Sequence, residues 1–153
     1  GCISSSHKSY SSHGEKLTIV VGIPQEVDRV LYTEDGKNYV ISAREEGNTL
    51  ALVKTRVLNQ KSTQITLSID KDAARINVKD VGDIHPLDFR EMGVESSEDI
   101  PEDYQYRPFL WDKVQISHGF EINGWMIFEV PQNSKYLGFA WDNVEFVTVV
   151  YPK

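Results

Sequence analysis

The chain has 153 residues, 40% of them hydrophobic and 25% charged, with a formal net charge of −7. That length fits one domain able to bury a real apolar core without metals or disulfides, and a single cysteine excludes an internal disulfide framework. The acidic balance argues against nonspecific nucleic-acid binding, which Lys and Arg drive by neutralising phosphates, and no apolar run approaches the ~18 residues of a helical membrane span.

Residues 1–15, "GCISSSHKSYSSHGE", hold six serines, two histidines and two glycines, with Ile3 the only aliphatic residue. So little apolar surface cannot offset the entropy lost on ordering, which predicts a tether over 1–15 and a folded domain over 16–153. "KLTIVVG" is a short apolar run punctuated by Pro24. "EVDRVLYT", "EDGK" and "NYVISAR" read as strand, turn and strand, with Asp35 and Gly36 as residues that tolerate positive φ in a tight hairpin.

In "TLALVKTRVLN" the residues Ala51, Val53, Thr55 and Val57 share one face, and Leu50, Leu52, Lys54 and Arg56 share the other. That second face predicts a strand covered on both sides at its start and exposed later. "TQITLSI" alternates through Ile65, Leu67 and Ile69, and "ARINVKDVGDIHPLDF" reads as a strand, a turn at Gly82 and a short strand stopped by Pro86. The β pattern then disappears from Arg90 to about Pro108, giving a connection longer than a compact domain normally leaves without structure. Strands resume with "WDKVQIS", "GWMIFEVP", "SKYLGFAW" and "NVEFVTVVYP". Period two in "GWMIFEVP" places Met126, Phe128 and Val130 in the core and Trp125, Ile127 and Glu129 on the opposite face. Eight or nine short strands with frequent turn signals and no helical period predict an all-β antiparallel sandwich, immunoglobulin-like in type.

Two stretches carry a family likeness. "GNTLALVKTRVLNQKSTQITLSIDKDAARINVKDVGDIHP", with its valine-rich strand ending in Asn, and "GFEINGWMIFEVPQNSKYLGFAW", with its strand ending Phe-Glu-Val-Pro, resemble an uncharacterised family of exported bacterial and archaeal immunoglobulin-like domains. Members commonly stand behind a lipoprotein signal and a low-complexity linker, and are described by analogy with a secreted mycobacterial immunogenic protein of the same sandwich shape. The likeness spans residues 17–151 and implies an exported sandwich. It transfers no catalytic residue, and the acidic stretch over 83–108 reads as an insertion.

Cys2 is the first candidate site. Lipoprotein signal peptidase cuts directly before a cysteine that is then acylated, and "GC" ahead of a serine-rich tether matches such a junction. This predicts an extracytoplasmic cell-envelope protein held to the membrane by lipid on Cys2. The rival reading of "GCISS" is N-myristoylation with palmitoylation at Cys2, as in an intracellular adaptor. The second candidate is the segment from Asp83 to Asp103, whose eight acids face one basic residue, Arg90. "DKDAARINVKD" opens like a calcium loop but has Ala74 and Arg75 where that loop needs a ligand and a glycine. Aromatics flank the acids. Asp99, Glu102 and Asp103 beside Tyr104, Tyr106, Phe109 and Trp111 form a surface suited to a protein or glycan partner, since flat rings offer contact area at low entropic cost.

Catalysis finds no motif: there is no nucleophile elbow, metalloprotease helix or phosphate-cradling glycine loop. The alternative to a binding or spacer module is a hydrolase or metal-dependent enzyme using His85 or His118 with a carboxylate. The expectation is a non-enzyme without cofactor.

Overall fold

The computed structural model describes residues 8–153. Strands hold 58% of the described residues and helix 3%, and among those residues every ladder is antiparallel apart from one isolated bridge. The all-β antiparallel expectation therefore holds. The described residues form fourteen strands against the eight or nine that alternation indicates. The short strand expected before Pro86 is β9 (Gly82–Ile84), and the surplus includes two strands of three residues each, too short to show a period: β3 (Gln25–Val27) and β10 (Val94–Ser96).

A central sheet organises the molecule. It runs β1 (Ser9–His13), β2 (Leu17–Gly22), β6 (Asn48–Asn59), β12 (Glu121–Pro131), with β3 lying beside the first half of β6 where β2 does not reach. One face carries Ile19, Val53, Val57, Met126 and Phe128 into the main core. There they meet β7 (Gln64–Ile69) with its partner β11 (Asp112–Ser117), and the sheet β14 (Glu145–Val150), β13 (Tyr136–Asn143), β8 (Ala74–Val78), β9. The opposite face is covered only at one end. Leu50, Leu52, Trp125 and Ile127 form a second core with Val30, Tyr32 and Ile41 of a small front sheet, β10, β5 (Lys37–Ser42), β4 (Arg29–Glu34). β6 is thus buried on both faces at its start, and Lys54 and Arg56 emerge further along, as the pattern of leucines followed by cations predicts.

The β4–β5 hairpin turns on Asp35 and Gly36, at φ 52° and 76°. Both central residues are left-handed, as a two-residue turn matched to strand twist requires. This turn pairs Thr33 with Asn38 and Tyr32 with Tyr39.

Two expectations are corrected. The tether over 1–15 does not extend through Ser9–His13, because these residues pair with β2 from Ser9↔Gly22 to His13↔Thr18. Backbone bonding, invisible to composition, supplies the ladder. Two side chains assist: Tyr10 packs edge-on to Tyr151 at 6.0 Å, and the His13 ring lies 2.8 Å from the Thr18 hydroxyl. The Glu145 carboxylate then clamps the β1–β2 turn, accepting from the backbone N–H of Glu15 at 2.7 Å, Lys16 at 3.0 Å and Leu17 at 2.9 Å. Nor is the acidic stretch over 83–108 a loose insertion. It leaves β9, forms one helical turn α1 (Phe89–Met92) capped by the Asp88 side chain on Arg90 N, and adds β10 to the edge of β5. It returns along β12, where Leu110 N donates to Trp125 O at 3.0 Å and Trp125 N to Pro108 O at 2.8 Å.

Candidate functional site

The returning segment and the front sheet enclose a cleft of about 310 Å³. Leu31 and Tyr32 enter it from β4, Phe89 from α1, and Ile100, Tyr104 and Phe109 from the segment after β10. Tyr32 holds the aromatic wall together. It stacks on Tyr39 at 5.0 Å and meets the rings of Phe89 and Phe109 edge-on at 5.2 and 5.8 Å; Phe89 and Phe109 lie 4.8 Å apart. Edge-to-face contacts of this kind fix ring orientation, because the positive edge of one ring faces the negative face of the next.

Polar groups rim the rings. Tyr32 donates its hydroxyl to the Phe89 carbonyl at 3.2 Å, and burial, followed by the charge of Glu34, pushes its pKa up, so it stays a neutral donor. Arg90 lies over the Phe89 ring at 4.6 Å and bridges Glu34 at 2.8 Å and Asp112 at 2.7 Å. Those two hydrogen bonds raise its pKa further. Arg107 turns its guanidinium onto the carbonyls of Tyr104, Pro101 and Glu102, which folds the segment back on itself. Leu31 N donates to the Tyr104 hydroxyl at 2.9 Å, so this tyrosine also satisfies a backbone donor on β4.

The structure brings together only some of the residues singled out by sequence. Tyr104 and Phe109 line the cleft. Tyr106 faces away from it, stacked edge-on against Trp125 at 4.9 Å and donating to Gln25 Oε1 at 3.1 Å; burial raises its pKa. Trp111 packs on the main core. Asp99, Glu102 and Asp103 are exposed, and the neighbouring Glu98 pairs with Arg29 at 2.6 Å. Tyr32 and Leu31 carry no site signal in the sequence beyond the register set by the Asp35–Gly36 turn, which places Tyr32 opposite Tyr39. Cys2 lies outside the described residues.

His85 Nδ1 is 2.8 Å from the Lys71 carbonyl and His118 Nε2 is 2.8 Å from the Gln60 carbonyl. A nitrogen facing a carbonyl carries the proton, so each ring is anchored by donation to backbone. Among the described residues, no group of three or more His, Cys, Asp or Glu side chains is placed to hold a metal ion. What the cleft can do is accept a flat or apolar group against its rings and hydrogen-bond it at the rim. No family model, curated protein or solved structure matches this chain.

Proposed function

We propose that this chain is a noncovalent binding module whose aromatic cleft receives one ring of a partner, an aromatic side chain or a sugar. The observation that carries this reading is the cleft itself: Leu31, Tyr32, Phe89, Ile100, Tyr104 and Phe109 give it aromatic and apolar walls, Thr33, Glu34 and Arg107 add polar groups, and its volume is at the small end of ligand sites. Planar rings already locked by packing lose little entropy when a partner arrives. The test is saturation-transfer NMR of the whole chain with indole, phenol and methyl β-glucoside as probes, comparing wild type with Phe109→Ala. Saturation of at least one probe, lost in the variant, supports the reading; equal signals from both proteins, or none from either, would overturn it.

The same proposal takes the chain to be an extracytoplasmic envelope protein with an immunoglobulin-like sandwich, anchored by lipid on Cys2. Its support is the "GC" junction before the serines and the likeness to exported domains of that type. Growth with an alkyne fatty acid, then detection of label on wild type and not on Cys2→Ser, is the expected outcome; label on neither refutes the anchor.

A further inference from the structure

The uncovered end of the central sheet holds a second and larger concavity, of about 860 Å³. The front sheet covers Leu50 and Leu52; two residues on, the same face of β6 presents Lys54 and Arg56. The matching face of β12 continues from Trp125 to Asn123 and Glu121, directly opposite Lys54, Arg56 and Leu58. Trp125, Asn123, Glu121, Lys54 and Arg56 make the floor, and Gln25, Gln105 and Lys8 bound it.

Its charge runs against the rest of the molecule. The chain is net −7, yet three cations and one carboxylate line this trough. Glu121 is spent on Arg56, accepting from Nε at 2.7 Å and Nη2 at 2.8 Å. Among the described residues neither Lys54 nor Lys8 has a carboxylate within ion-pair distance. Lys54 is therefore a cation with no carboxylate partner among the described residues, on the floor of a wide concavity.

The other polar side chains are the Ser9 hydroxyl and the amides of Gln25, Gln105 and Asn123. An amide donates and accepts at once, which matches the paired hydroxyls of a sugar ring. A peptide would gain less here, because the floor is the face of a paired sheet whose backbone groups are already used in the β2–β6–β12 ladders. We infer that this trough binds a carboxylate-bearing oligosaccharide, with Lys54 on a carboxylate, Asn123 and Gln25 on hydroxyls, and the Arg56–Glu121 pair as a rigid polar floor. The site neighbours the aromatic cleft on the same side of the central sheet but shares no lining residue with it.

The experiment is isothermal titration of the whole chain with a galacturonate hexamer, a neutral xylose hexamer and a hexaglutamate peptide at low salt. The acidic sugar is expected to bind saturably and at least about tenfold more tightly than the neutral one, with affinity falling as salt rises. Lys54→Gln weakens it about tenfold, the usual effect of removing one charge-assisted contact. Glu121→Gln frees Arg56 and tightens it, and Phe109→Ala leaves it unchanged. Lys54 and Glu121 are exposed, and unchanged circular dichroism confirms that their variants fold. The inference is overturned if the acidic hexamer fails to saturate, if the neutral sugar or the peptide binds as well, or if Lys54→Gln has no effect.

Discussion

Gly124 sets how closely the cleft-bearing segment approaches the sheet. It lies in β12 opposite Thr55, and a Cβ there would stand 2.8 Å from both the Pro108 carbonyl oxygen and Leu110 Cδ2. Ordinary contact begins near 3.4 Å, so Gly124→Ala drives the 108–110 segment back by about 0.6 Å, enough to break the Leu110 N to Trp125 O bond. Overpacking costs roughly 1–3 kcal/mol and the lost hydrogen bond about 1 kcal/mol. Exchanging glycine for alanine within a strand returns roughly 0.5–1 kcal/mol. The net loss is about 2 kcal/mol, which lowers Tm by roughly 4–8 °C for a domain of this size. Calorimetry and urea unfolding measure it directly. Because Phe109 moves with Leu110, probe signal at the cleft falls in the same variant. A Tm within one or two degrees of wild type would show that the segment yields freely, and the close-approach argument would be wrong.

Two further outcomes follow from buried and clamping polar groups. Asn59 ends β6 fully buried, donating to the carbonyls of Ser62 and Ile116 at 2.9 Å each and accepting from Ser62 N at 3.1 Å; Asn59→Ala orphans all three and costs about 2–3 kcal/mol in urea unfolding. Burial raises the Glu145 pKa, but its bonds from the Leu17, Lys16 and Glu15 N–H groups outweigh that and leave it below the usual carboxylate range. A folded pKa below the unfolded value means that this stabilisation is present above about pH 4.3 and is lost as pH falls through the folded value. Glu145→Gln therefore lowers Tm at pH 7 and narrows the gap to wild type in acid, whereas a constant gap from pH 7 to pH 3 contradicts the clamp.

How much of this was legible in the residues depends on the range of the interaction. Alternation in β6 and β12 assigned both faces correctly, including the change from Leu50 and Leu52 to Lys54 and Arg56, because side chains on a strand sample their two environments with period two. The Asp35–Gly36 turn gave the hairpin register, since its backbone demand is local. Composition failed at Ser9–His13, where the energy comes from a ladder with β2 and from Glu145, 130 positions away from Glu15. It failed again at the acidic stretch. There the exposed acids were visible, but not the return path that puts Tyr104 and Phe109 in the cleft and turns Tyr106 onto Trp125 and Trp111 onto the main core.

The residues alone thus determined an all-β chain, its two-faced central strands and the positions of its tight turn. Only the tertiary structure decided where a binding surface lies. The cleft is made by Tyr32, Phe89 and Phe109 from three separate segments, and the trough exists because the front sheet stops short of Lys54. Both are shapes left between elements, and such a shape depends on how far one layer covers another, a quantity no local period encodes.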